Sequence, residues 1–278
     1  MMRKSIRWRL VACMPILSAL FFVNALHAQT YTFGVVPQQA SNVLAIRWVP
    51  LTNYLSDQTG LDIRFATAKS IPAFEKELAK NTYDIAYMNP FHYTVFASPT
   101  GYDAVAMQAN KTIKGIIVKR KQSPISTIAD LTEQTIAFPA PAAFAATLLP
   151  SAELTQAGIP FAPRFVKSHD SVYLNVQRGF AAAGGGIMRT FNNLPDSVKQ
   201  DLEVLFTTKA YTPHAFAVNS ELPLPVRRVI QDALVNMHLS DTGKEILDTL
   251  GMFELTTAQD HSWDDVRGLQ LSTAEIAK

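Results

Sequence analysis

The tract Tyr87-Met88-Asn89-Pro90-Phe91-His92-Tyr93 carries the clearest chemistry in this 278-residue chain. It reads as a strand end running into a helix start, because Asn89 is a good N-cap and Pro90 suits the first helical position. On that reading the N–H groups of Phe91 and His92 point out of the helix start, at the positive end of its dipole, and such an end binds anions. Tyr87 and Tyr93 flank it with hydroxyl donors. The same residues serve equally well as a plain capped helix with two packed tyrosines, and the sequence leaves both readings open.

Two further strand-to-helix turns offer donors. Phe138-Pro139-Ala140-Pro141-Ala142-Ala143-Phe144-Ala145 presents backbone N–H groups and no side-chain hydroxyl before Thr147. In Ser168-His169-Asp170-Ser171, Ser168 is a cap, Asp170 suits the first turn, and His169 stands at the helix mouth, where an imidazole donates to an anion. A lone histidine there also serves as an ordinary surface or capping residue. The run Gly184-Gly185-Gly186 lacks the Lys-Ser/Thr that a phosphate loop needs, since Ile187-Met188-Arg189 follows it. Arg189 and Thr190 are candidate donors, though solvated surface suits them better.

Enzyme chemistry lacks its residues. There is no Gly-x-Ser-x-Gly elbow and no His-Glu-x-x-His helix, and the one cysteine is Cys13. His92, His169 and His214 fall near expected lobe edges without a close-spaced pair, so no metal and no cofactor is expected.

The elements that must position these turns alternate between strand and helix, the mark of an α/β fold with mostly parallel sheets. Tyr31–Val36, Asp62–Ala66 and Tyr83–Met88 read as strands. Leu44, Trp48, Leu51 and Leu55 fall on one helical face closed by Gly60. Ser70 caps a helix carrying Ile71, Phe74 and Leu78. The pattern restarts at Gly115–Val118. It continues through Thr135–Phe138, a helix over Ala142–Gly158, Arg164–Val166, a helix over His169–Gly179 and a strand around Ile187. Ala215–Val218 and two helices, the second from Ser240 to Gly251, complete it. The expected organisation is one lobe of residues 29–108 and 212–278, with a second lobe of 109–211 inserted into it. Two crossing strands near Gln108–Gly115 and Thr207–Pro213 would join them as a hinge that closes on a ligand.

Residues 1–28 read as a secretory signal: Arg3, Lys4, Arg7 and Arg9, then an apolar run from Leu10 to Val23, then small residues ending at Ala28. Leu10-Val11-Ala12-Cys13 looks like a lipoprotein box, but the apolar run follows the cysteine, so plain cleavage after Ala28 and a periplasmic location are expected. The signal holds four of the 25 basic residues and none of the 23 acidic ones, which leaves 21 against 23 in the mature chain. A net charge near −2 provides no basic field for nucleic acid. The mature chain, without cysteine, is still long enough to bury a core without disulfides.

Phe33-Gly34-Val35-Val36-Pro37, Leu51-Thr52-Asn53-Tyr54-Leu55 before Gly60, Tyr83-Asp84-Ile85-Ala86-Tyr87, Ile128-Ala129-Asp130-Leu131 and Ser168-His169-Asp170 form an ordered set. In that order and spacing the chain resembles the periplasmic phosphate/phosphite/phosphonate-binding proteins of ABC transporters, over nearly the whole mature length. The resemblance implies the two-lobed type II periplasmic-binding-protein fold and a small anion held by Tyr87, Tyr93 and His169. It implies delivery to an ABC permease or, alternatively, docking on the periplasmic domain of a sensor histidine kinase, in either case as a monomer.

Two departures stand out. Phosphonate binders of this family carry Ser-Thr-Ser at the start of the second-lobe helix, where this chain has Ala143-Phe144-Ala145. Hydrogen bonds to charged groups contribute about 1.5–3 kcal/mol each, so their loss matters. Aminophosphonate binders carry an aspartate where this chain has Gly179-Phe180-Ala181-Ala182-Ala183-Gly184, so an ammonium-bearing ligand is disfavoured.

Overall fold

A computed structural model describes residues 29–271; the expected signal peptide lies outside the described residues. The chain opens with β1 (Thr30–Val35), α1 (Ser41–Thr59), β2 (Asp62–Thr67), α2 (Ile71–Ala79), β3 (Ile85–Met88), α3 (Pro90–Thr100) and β4 (Tyr102–Gln108). It crosses to β5 (Ile116–Arg120) and β6 (Thr135–Phe138), then a π-helical turn at Phe144–Leu148 that runs into α4 (Leu149–Gln156). β7 (Ala162–Phe165), α5 (His169–Gln177), β8 (Ala183–Gly186), α6 (Met188–Asn192), α7 (Asp196–Lys199) and β9 (Leu202–Thr207) follow. The return brings β10 (Ala215–Asn219), α8 (Leu224–Val235), α9 (Asp241–Leu250) and β11 (Leu255–Thr257).

These strands form two sheets, ordered β11-β4-β10-β3-β1-β2 and β7-β6-β8-β5-β9. Each is mixed rather than mostly parallel. β1, β2 and β3 pair in parallel, whereas β10 returns from the second sheet and inserts antiparallel between β3 and β4. In the second sheet β6 pairs in parallel with β7 and β8, and β5 pairs antiparallel with β8 and β9. The two crossing segments bond to each other: Ile113 and Tyr211 exchange backbone hydrogen bonds at 2.8 and 2.9 Å.

Local sequence explains most of these elements. The apolar stripe of α1 buries Leu44, Trp48, Leu51 and Leu55 against β1 and β10, a core joined by Phe33 and Phe216. Gly60 ends the helix in the left-handed region and donates to the Ser56 carbonyl at 2.9 Å. Ser70 and Ser240 cap α2 and α9 through their hydroxyls.

Two expected elements differ. The helix expected over Ala142–Gly158 begins instead with the π-helical turn, because Pro150 has no N–H to return to the Ala146 carbonyl. That carbonyl is turned toward Gly185, where a Cβ would collide with it. The strand expected around Ile187 lies one step earlier. The three glycines are the buried strand β8 itself, and Ile187 precedes α6. A side chain at Gly184 or Gly186 would strike Val172 or Tyr173 of α5, so the run serves close packing rather than ligand approach.

Candidate functional site

A cavity of about 470 Å³ lies between the two sheets' layers. The ends of β1 and β3 contribute Val36, Tyr87 and Asn89, and the crossing segments contribute Asn110 to Lys114, Pro213 and His214. The second layer adds Ala143 to Ala146, His169 and Ile187 to Arg189. Three basic side chains and two histidines line it, and no aspartate or glutamate does.

Tyr87 lies at the end of β3, with its ring stacked on His214 at 5.0 Å and 14° and packed on Trp48 at 4.5 Å. Its hydroxyl has no hydrogen-bond partner among the described residues. Burial pushes the phenol well above its usual range, outweighing an opposing pull from Arg189, so it stays a neutral donor. His169 opens α5 and lines the cavity, and its Nδ1 is buried without a partner. Burial first, and Arg189 second, lower its pKa to about 4. His214 is lowered to about 3, again mainly by burial, and its Nε2 is 2.9 Å from the Gln38 amide nitrogen, which donates to it. Both imidazoles are therefore neutral near pH 7.

Asn89 also lines the cavity, and it is consumed structurally. Its Oδ1 accepts from the His92 N–H at 2.8 Å, and its Nδ2 donates to the Ala142 carbonyl at 3.2 Å, tying the two layers together. The cap thus takes one of the two donors expected to face a ligand. His92 itself is fully buried, with Nε2 donating to Glu75 Oε1 at 3.0 Å, and Phe91 is buried in an apolar cluster that also holds Phe144 and Leu149. Tyr93 is displaced from the expected site as well. Its ring packs on Trp263 at 4.4 Å, and its hydroxyl donates to Asp260 at 3.0 Å while accepting from the Ala104 N–H. Ser168 is an exposed cap that accepts from the Ser171 N–H at 3.1 Å. Of the expected residues, the cavity gathers Tyr87, Asn89, Ala143, Phe144, Ala145 and His169. Phe91, His92, Tyr93 and Ser168 are not among its lining.

Phe144 lines the cavity, with its ring set edge-on to Tyr211 at 6.1 Å. As the first residues of a helical turn, Phe144, Ala145 and Ala146 have N–H groups with no intrahelical acceptor, and all three line the cavity. Arg189, read from sequence as surface, lines the cavity too, and its Nη2 donates to Gln38 Oε1 at 3.3 Å. Lys111 and Lys114, within the first crossing segment, and Gln38, just after β1, line the cavity as well, and no local sequence pattern singles them out.

A family model described as "ABC transporter, phosphonate, periplasmic substrate-binding protein" matches residues 33–263. The chain belongs to this family. Its members are binding components of transporters rather than enzymes. Among curated proteins, the phosphate-import protein PhnD of Mycolicibacterium smegmatis is 22% identical over 217 residues, covering 70% of this chain and 67% of that protein. Among solved structures, PhnD1 of Prochlorococcus marinus in complex with methylphosphonate superposes with a TM-score of 0.78 at 20% identity, covering 87% of this chain and 97% of the other. A binding protein component of an ABC phosphonate transporter from Pseudomonas aeruginosa gives 0.77 at 15% identity, covering 90% and 92%. These likenesses establish the two-lobed fold of this phosphonate-binding family member. Among its described residues no helix is long and apolar enough to cross a membrane, and no cluster of three metal-ligating side chains occurs.

Proposed function

We propose that this phosphonate-family protein binds a small oxyanion of the phosphonate, phosphite or phosphate type between its lobes and delivers it, as a periplasmic monomer, to an ABC permease. The observation that carries the reading is the charge pattern of the cavity: Lys111, Lys114, Arg189, two histidines and a free tyrosine hydroxyl, with no carboxylate. A phosphoryl group would take its hydrogen bonds from the Tyr87 hydroxyl, His169 and the N–H groups of Phe144 to Ala146. The backbone donors stand in for the hydroxyls replaced by Ala143-Phe144-Ala145. Hinge closure at residues 109–115 and 208–214 would be held by the Asn89–Ala142 and Arg189–Gln38 contacts. Family membership favours the permease over a sensor kinase as partner.

Thermal unfolding against phosphate, phosphite, methylphosphonate, aminoethylphosphonate and a sulfonate tests this. A ligand at 100 times its dissociation constant adds about 2.7 kcal/mol and raises the midpoint by several degrees. A rise with a phosphorus oxyanion and none with aminoethylphosphonate is expected. No rise with any of the five rejects the reading.

A further inference from the structure

Beside the main cavity lies a recess of about 30 Å³ that shares Tyr87, Arg189, Leu250 and Met252 with it. Two guanidinium groups line the recess: Arg47 from α1, packed on the first sheet, and Arg189 from α6, beside the second. Gln38 and Gln39 bring amide groups, and no aspartate or glutamate lines it. Among the described residues neither arginine is in an ion pair, and the single side-chain hydrogen bond of Arg189 goes to the neutral amide of Gln38. Like charges gathered at one recess without a counter-charge repel each other, and a planar guanidinium fork is matched best by a carboxylate or phosphoryl edge. The size fits that chemistry. A water needs about 10–15 Å³ of such volume, so the recess takes roughly two oxygen atoms and excludes a ring.

We propose that the recess is a second anion subsite, and that the ligand carries two acidic ends, a phosphoryl group in the main cavity and a carboxylate between Arg47 and Arg189. This deepens the proposed function and rests on it. A short apolar linker would lie against Leu250 and Met252, which line both spaces. Because the two arginines come from different lobes, the second acid also draws the lobes together.

Calorimetric titration of the purified protein with matched pairs tests this: ethylphosphonate against phosphonoacetate, and propylphosphonate against 3-phosphonopropionate. At least one phosphonocarboxylate is expected to bind about tenfold or more tighter than its alkyl partner, a difference of about 1.4 kcal/mol. Arg47→Gln should reduce that preference to less than about threefold, and Arg47→Lys, which keeps the charge but loses the fork, should fall between. Circular dichroism checks that each variant is folded, and Arg47→Lys decides if Arg47→Gln is not. Alkylphosphonates that bind as tightly as their carboxylated partners overturn the second subsite and leave the oxyanion cleft standing. An equal loss for both members of a pair in the Arg47 variants also overturns it. Failure of all four ligands to bind overturns both.

Discussion

The Asn89 amide donates to the Ala142 carbonyl at 3.2 Å, so the residue that caps α3 on one lobe also holds the loop leading into the π-helical turn of the other. Asn89→Ala removes both roles. The lost cap alone costs about 0.5–2 kcal/mol. Urea unfolding should register that loss, and ligand affinity should fall as well because the closed arrangement loses a tie. Asn89→Asp keeps the cap and lacks the Nδ2 donor, so it should restore most of the stability and little of the affinity.

Glu75 and His92 form a buried pair beneath the same turn, exposed by 2% and 0%. Removing one partner of such a pair strands the other and costs about 3–5 kcal/mol. Glu75→Leu and His92→Leu are each expected to destabilise on this scale. The double replacement should cost clearly less than the sum, since neither group is then left alone. Chemical denaturation of the three variants measures this coupling.

Gly185 should tolerate no side chain. A Cβ there would meet the Ala146 carbonyl and the Phe138 ring, both held by packed elements. Overpacking a core typically costs about 1–3 kcal/mol. Backbone cannot yield as a side-chain tip does, so Gly185→Ala belongs at or above the upper end. Gly60→Ala meets no atom, yet sits in the left-handed region, so its smaller cost comes from backbone strain alone. A comparison of the two thermal midpoints separates clash from strain.

Histidine burial sets a pH dependence. His169 and His214 have folded pKa values of about 4 and about 3, below the roughly 6.5 of an unfolded histidine. Between those values the unfolded chain binds protons that the folded chain refuses. Stability is therefore full near pH 7, falls as pH drops from about 6.5 toward 4, and levels off below the folded values. His214→Gln should flatten the slope in that window. A bound oxyanion favours protonated His169, so ligand affinity should rise as pH falls through the same range.

Much of this arrangement was legible in the chain. The α1 stripe, the caps at Ser70, Ser168 and Ser240 and the stop at Gly60 follow from spacing and local hydrogen bonding. Tyr87 and His169 could be placed because a strand end and a helix start aim their first side chains into the crevice. Tyr93 and His92 could not be separated from them, since one helical turn carries such residues from the cleft wall into the core. The Asn89 cap also captures the N–H that would otherwise face a ligand. The basic groups were less legible still. Arg47 falls on the polar side of an amphipathic helix and Arg189 follows a glycine run. Only the approach of α1 and α6 across the cleft gives them a common recess. The antiparallel insertion of β10 is likewise a tertiary event, invisible to the βαβ alternation.

The most direct test of an oxyanion cleft built on Tyr87 and His169 is calorimetric titration of the wild-type protein with methylphosphonate and with phosphate, repeated with Tyr87→Phe and His169→Ala. Lost hydrogen bonds to a charged group cost about 1.5–3 kcal/mol, or roughly 10- to 150-fold in affinity. Each variant should lose affinity on that scale while keeping a wild-type unfolding midpoint without ligand. Wild-type affinity in both variants would contradict the account.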